Sequence, residues 1–318
     1  MTSPKTVCIS HGEDADGLIC AALLLRLKNA SPILVTYDEL EDALKGIIPP
    51  VEQLYICDLN IREALVEEMR RIKRFSSVTI IDHHPWAEGL MESLRDAGVN
   101  VLHSLQDSAS VILYDHFRRE LGREAGRLAA YAAWTDQFEE GPIASLLLWE
   151  YDRQLVQHEA LILAHAVVRN QTHEFWQPLV EELSKLAFPH EIPGVVDMSL
   201  THLREMTHLL GTLPKKATRI GRFAYVGEPD NEPIGTVANL LLDALGVDIG
   251  LCYKAMDTGR ANVSIRSRRG LTIHLGEITR GVAMKHGGFG GGHKRASGAS
   301  LPWSNLKGFI DELARELA

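Results

Sequence analysis

The chain has 318 residues, 45% of them hydrophobic and 24% charged, with a formal net charge of −9. This length suits two domains of about 100–200 residues each, with enough apolar material for packed cores. It excludes a strongly basic wrapper of long duplexes, and no run approaches the roughly 20 apolar residues of a membrane span.

In chain order, the first 105 residues alternate short β-branched runs with amphipathic helical patterns. The runs are Thr6–Ile9, Pro32–Thr36, Leu54–Cys57, Val78–Ile81 and Val99–Leu102, with helical spacing at Leu18–Leu27 and Arg62–Ile72. This alternation predicts an α/β fold whose N-terminal domain is a doubly wound, mainly parallel sheet covered on both faces. Ligands in such sheets bind beyond the carboxyl ends of the strands. From Ser108 to about Leu210 the spacing becomes helical, with breaks expected at Pro189–Gly194 and Gly211–Pro214. A second alternating pattern starts at Thr218: strands over 222–227, 249–255 and 261–267, a helix over Ile234–Leu245, a Gly-rich loop and a terminal helix Asn305–Leu317. The expected domains are therefore residues 1–188, a helical linker over 189–215, and a smaller α/β domain over 216–318.

Charge follows the same division. Residues 215–318 hold 15 basic and 10 acidic residues, leaving 18 basic and 32 acidic in 1–214. An acidic part suits cations and a basic part suits phosphate. The opening MTSPKTVCIS lacks the layout of a secretory leader, so a cytoplasmic protein with no membrane association is expected. Cys8, Cys20, Cys57 and Cys252 stand singly in apolar runs, which fits buried reduced thiols rather than zinc or redox ligands.

Four constellations carry chemistry. Ser10-His11-Gly12-Glu13-Asp14-Ala15-Asp16-Gly17 follows the first strand, with two carboxylates two positions apart beside a turn-forming glycine. Taken alone it also reads as a helix cap. Asp58 ends the third run, either pointing into the same crevice or capping the next helix. Asp82-His83-His84 follows the fourth run; an acid and two imidazoles are hard to place in an apolar core without partners. Asp136 ends a helix of small residues. Mixed carboxylate and imidazole donors suit manganese, iron or zinc better than calcium, and with this many carboxylates manganese or magnesium is favoured. His158, His165, His202 and His208 lack carboxylates at ligand spacing, and Trp86 is expected to plug the sheet edge.

This order of motifs resembles the DHH phosphoesterase superfamily, and Gly290-Gly291-Gly292-His293-Lys294-Arg295-Ala296-Ser297-Gly298 resembles the Gly-Gly-His motif of the DHH-associated C-terminal domain. The resemblance spans nearly the whole chain. It implies two divalent cations, manganese before magnesium: one held by His11, Asp14 and Asp58, the other by Asp16, Asp58, His83 and Asp136, with Asp58 bridging. Asp82 would orient the site and His84 would lie near the scissile phosphate. Two residues separate His11 from Asp14 where many family members have three, which makes Glu13 an alternative ligand. Substrate contacts are expected from Arg266, Ser267, Gly291, Gly292, His293 and Arg295.

The implied function is hydrolysis of short single-stranded RNA or DNA, or of a nucleotide, held in the inter-domain cleft, as in nanoRNases and RecJ-like exonucleases. Phosphoadenosine-phosphate phosphatase and cyclic-dinucleotide phosphodiesterase are the alternatives within this class. A nucleotide-binding protein that has lost catalysis is the alternative outside it, and a homodimer is compatible with all of them. The lysine-rich C-terminal signature of the related pyrophosphatases is absent.

Overall fold

The five expected N-terminal runs all form strands. The structure is a computed structural model that describes residues 5–229 and 233–317, so the first four residues of the opening segment lie outside the described residues. In chain order its first part runs β1 (Thr6–His11), α1 (Ala15–Lys28), β2 (Ser31–Val35), α2 (Leu40–Lys45), β3 (Gln53–Cys57), α3 (Val66–Lys73), β4 (Ser77–Asp82), α4 (Leu90–Asp96) and β5 (Asn100–His103). All four pairings are parallel and the strand order is β2-β1-β3-β4-β5. In this order the winding reverses between β1 and β3, so the crevice for a ligand is expected at their carboxyl ends.

The two-residue period of a strand sends alternate side chains to two separate cores. Val7, Ile9, Leu54, Ile56, Val78 and Ile80 pack with α2, α3 and α4. Cys8, Tyr55, Cys57 and Ile81 face the other layer: α1, α5 (Ala109–His116), α6 (Arg118–Leu121), α7 (Gly126–Thr135), α8 (Ala144–Leu148), α9 (Arg153–Arg169) and α10 (His173–Ser184). Helix α1 is apolar almost all round because it lies inside this layer, with Leu18, Ile19, Leu23 and Leu24 fully buried. Each such side chain contributes about 1.5–3 kcal/mol. The helix ends at Asn29, whose left-handed backbone lets its N–H reach the carbonyls of Leu24 and Leu25.

Contacts divide the chain into Met1–His202 and Leu203–Ala318. The division falls inside α11 (Val195–Lys216), a helix that runs through the break expected at Gly211–Pro214. Pro214 lies in its last turn, where little helix remains to be disrupted, and one interior glycine costs only about 1 kcal/mol. Leu213 of α11 joins a small core with Val226, Val237, Leu241 and Cys252.

The second unit continues with β6 (Thr218–Ile220), β7 (Phe223–Gly227), α12 (Ile234–Ala244), β8 (Ile249–Ala255), β9 (Arg260–Ser267), α13 (Leu275–Lys285), β10 (Phe289–Gly292), β11 (Ala296–Pro302) and α14 (Leu306–Leu317). Its mixed sheet has the order β10-β11-β9-β8-β7-β6, with only β7 and β8 parallel and α12 crossing between them. Four features differ from the elements that the sequence predicts, the first two being strands β6 and β11, which have no counterpart among them. The segment expected as a Gly-rich loop is strand β10, paired antiparallel with β11 from Phe289↔Ser300 to Gly292↔Ser297. Helix α13 has no counterpart among the expected elements, because Gly276 and Gly281 interrupt its helical pattern. No helix among the described residues is long and apolar enough to cross a membrane.

Candidate metal centre

The carboxyl ends of β1, β3 and β4 lie side by side, and each delivers an acid or an imidazole to the same place. After β1 the chain turns through Gly12 and Glu13, and Asp14 caps α1 by accepting the Gly17 N–H at 3.0 Å. The cap uses Oδ1; Oδ2 lies 3.6 Å from His11 Nε2, so the capping and site readings of Asp14 are both satisfied. Glu13 Oε2 is 3.9 Å from the same nitrogen. Gly17 is required here, since a Cβ on it would fall 2.3 Å from the His11 carbonyl oxygen.

Asp16 turns the other way and is fully buried. Its two oxygens accept the Ala109 and Ser110 N–H groups, at 2.7 and 2.9 Å, at the start of α5. The N-termini of two helices thus favour its charge. Asp58 follows β3 and caps no helix. Its backbone is left-handed (φ 55°), and its N–H donates to the Ile81 carbonyl at 3.0 Å. Such a φ is uncommon outside glycine and marks a position held by its surroundings. The side chain is 1% exposed, with Oδ1 3.1 Å from His83 Nε2.

Asp136 caps the carboxyl end of α7, the helix end that disfavours an anion. Its carboxylate nevertheless reaches within 4.0 Å of His83 Nε2. Ligand atoms of Asp16, His83 and Asp136 lie within 4.8 Å of one another, and so do those of Asp58, His83 and His84. His84 is better described as a neighbour of that second group than as a ligand. Its Nδ1–H donates to Asp82 Oδ1 at 2.8 Å, which uses the nitrogen nearest Asp58.

Crowding sets the electrostatics. Burial, then the charges of Asp14, Asp16, Asp136 and Asp82, push Asp58 well above the usual carboxylate range. Burial, then Asp16 and Asp14, raise Asp136 in the same way. Burial also pushes Asp14 upward, but His11 and the Gly17 amide outweigh it and leave its pKa lowered. For Asp82, burial is outweighed by the His84 and Trp86 hydrogen bonds and the two histidine charges. Burial lowers His83, whereas for His84 the Asp82 bond and neighbouring carboxylates outweigh burial and raise it.

The set fits divalent cations. Asp58 Oδ2 is buried and has no hydrogen-bond partner among the described residues, which is costly unless another group binds there. Carboxylate oxygens together with imidazole nitrogens form a donor set suited to divalent metal ions.

Three surrounding residues lie outside the expected ligand set, and of these the sequence singled out only Trp86, as a plug for the sheet edge. The Trp86 indole N–H donates to Asp82 Oδ2 at 2.7 Å while its ring stacks on His103 at 4.2 Å, so it buttresses Asp82 besides packing at the sheet edge. His103 Nε2 lies 2.7 Å from the His84 carbonyl oxygen. Tyr37, just beyond β2, stacks on His11 with its hydroxyl 3.0 Å from His84 Nε2. Of the histidines without carboxylates at ligand spacing, His165 and His202 pair with each other, ring centroids 5.0 Å apart; burial, then His202, pull His165 down to about 4.

The C-terminal candidates lie in the second unit. Arg266 is on β9, where its Nη1 donates to Ser264 Oγ at 2.8 Å, on the sheet face that carries α12. Alternation puts Ser267 on the opposite face, where it is buried, so Ser264 rather than Ser267 accompanies Arg266. Gly291 and Gly292 belong to β10, and Gly292 (φ 138°) has a conformation that only glycine adopts readily. His293 to Arg295 form the turn into β11: the His293 N–H donates to the Ala296 carbonyl and the Arg295 carbonyl accepts from Ser267.

The fold and this edge define an α/β protein with a candidate divalent-cation centre at the switch point of its parallel sheet. Residues 5–134 match the family model described as DHH family, N-terminal domain, and residues 222–318 match the DHHA1 domain. The chain belongs to the DHH superfamily and carries a DHHA1 C-terminal domain. No curated protein matches the sequence. Among solved structures, the DHH domain of a member of the s1p family of ribosomal proteins is similar at a TM-score of 0.77 and 16% identity, over 98% of this chain and 86% of that one. RecJ of Thermus thermophilus in complex with Mn2+ is similar at 0.66 and 17%, over 99% of this chain, which spans 53% of RecJ. The pGpG-specific phosphodiesterase PggH of Vibrio is similar at 0.57 and 14%, over 98% of both chains. At these identities the likeness is one of fold.

Proposed function

We propose that the N-terminal unit binds two divalent cations, manganese or magnesium, and hydrolyses a phosphoester: a phosphodiester in short single-stranded RNA or DNA, or a phosphodiester or phosphomonoester in a small nucleotide. One observation carries this reading. Asp16, Asp58 and Asp136, drawn from three separate parts of the sequence, meet around His83, and burial with the charges of Asp14 and Asp16 raises Asp58 and Asp136. A fold keeps such mutual repulsion where cations offset it.

In this reading His11, Asp14 and Asp58 hold one ion and Asp16, Asp58, His83 and Asp136 the other. When bound, two such ions supply Lewis-acid polarisation of the phosphoryl group and activation of the attacking water. Asp82 orients His84, and His84 presents Nε2 toward the phosphoryl oxygens. The second unit contributes substrate contacts through Arg266, Gly291, Gly292, His293 and Arg295, the guanidinium pairing with phosphate, whereas Ser267 is buried on the face opposite Arg266. The bound metals named for RecJ and the dinucleotide named for PggH agree with this class of substrate. The filled set of acidic positions argues against a chain that has lost catalysis.

Turnover of an RNA dinucleotide, a DNA dinucleotide, a cyclic dinucleotide and 3′-phosphoadenosine 5′-phosphate, each with Mn2+, tests the proposal. Hydrolysis of at least one in parent protein, lost in Asp58→Asn, is expected. Nucleotide binding without any turnover would favour the non-catalytic alternative.

A further inference from the structure

Tyr37 touches the site at two points. It stands two residues beyond Val35, the end of β2, in a turn held by the Glu39 carboxylate, which accepts the Thr36 N–H at 2.8 Å. Its ring lies on the His11 imidazole, centroids 4.3 Å apart and planes 27° from parallel. Its hydroxyl lies 3.0 Å from His84 Nε2. His84 is thereby held at both ring nitrogens. The Asp82 carboxylate only accepts, so Nδ1 carries the hydrogen at that end and Nε2 faces the Tyr37 hydroxyl. A hydroxyl both donates and accepts, so it serves Nε2 in either role, which a phenylalanine ring cannot do. Tyr37 is also 38% exposed, so the residue borders solvent while its hydroxyl is turned to His84.

We infer that Tyr37 is a positioning residue that ties the two halves of the centre together, its ring fixing His11 and its hydroxyl fixing His84 for the phosphoryl group. Resting on the function proposed above, the inference gives that site a control over imidazole geometry that no motif in the sequence indicates. It separates two contacts that two substitutions remove one at a time. Tyr37→Phe keeps the ring and loses the hydroxyl; Tyr37→Leu loses both.

The test uses the full chain and three readouts. In metal-free, 15N-labelled protein, the His84 Nε2 resonance shifts in Tyr37→Phe while that of His11 stays near its parent position; in Tyr37→Leu both move. In Mn2+ titrations Tyr37→Phe binds within about twofold of the parent, whereas Tyr37→Leu loses about tenfold in affinity for one ion, the scale seen when groups that orient a ligand are removed. With an RNA dinucleotide and Mn2+, Tyr37→Phe lowers kcat about tenfold with KM little changed, as for a misoriented catalytic group. An unmoved His84 resonance in Tyr37→Phe overturns the inference, as does Mn2+ binding weakened equally in both variants or a loss confined to KM. If the parent hydrolyses no probe, the proposed function fails, and the resonance and Mn2+ readouts still decide the role of Tyr37.

Discussion

The edge of the parallel sheet and the Gly-rich end of the mixed sheet handle charge in opposite ways. At the first, carboxylates are buried against one another: Asp16, Asp58 and Asp82 are almost inaccessible, and burial and mutual repulsion raise Asp58 and Asp136. At the second, His293 and Lys294 are exposed on the turn between β10 and β11, and Arg266, more deeply set, is held on a strand by Ser264. Buried like charges are tolerable where something of opposite charge binds tightly. Exposed cations beside glycines suit a polyanion that comes and goes. Under the proposed function, the first region retains cations and the second samples phosphates.

Substitutions should therefore separate the two regions. The largest effect is expected from Asp58→Asn, which removes the shared carboxylate: turnover of an RNA dinucleotide with Mn2+ falls by about 10³-fold or more, the scale of losing a main electrostatic group. Arg266→Ala should raise KM about 10- to 100-fold, as for loss of a charged contact to phosphate, and leave Mn2+ binding unchanged. If it weakened Mn2+ binding instead, the division of labour would be wrong. Trp86→Phe keeps a ring over His103 and removes the donor to Asp82; a several-fold fall in kcat and a loss of about 1–2 kcal/mol in stability are expected, measured by steady-state kinetics and urea unfolding.

The smallest effect concerns stability without metal. Asp58 and Asp136 titrate above their unfolded value near 3.8, so they contribute stability below that pH that is lost as pH rises through their folded pKa values. Asp14 and Asp82 are lowered, so their contribution is lost only as pH falls below that value. His83 and His84 shift in opposite directions and oppose each other near 6.5. Metal-free Asp58→Asn at pH 7 should therefore melt a few degrees above the parent, about 2–4 °C per kcal/mol relieved, and Mn2+ should reverse that ranking. A parent more stable than Asp58→Asn without metal would contradict the electrostatic account.

The sequence carried the parts of this site that local patterns encode. Asp58 and Asp82-His83-His84 follow runs of β-branched residues, so the rule for ligands at strand ends placed them together before any coordinates. The N-terminal strands were legible for the same reason. Asp136 offered less: an acid at the unfavourable end of a helix is a hint only once the helix end is known. Tyr37 and His103, and the hydrogen bond from Trp86 to Asp82, were illegible because they depend on ring positions across neighbouring strands, which no spacing reports; the packing of Trp86 at the sheet edge was legible. Strand β10 read as a loop because glycines carry no alternating pattern, and α13 was hidden by its own glycines. Helix α11 ran past a Gly and a Pro because a helix near its end loses little to either.

Calorimetric titration of Mn2+ into metal-free protein bears most directly on whether these scattered acids form one centre. The parent should bind two ions per chain, Asp58→Asn should lose tight binding of both, and Arg266→Ala should match the parent. A single bound ion in the parent, or two ions still held tightly by Asp58→Asn, would contradict a shared carboxylate and the two-cation centre with it.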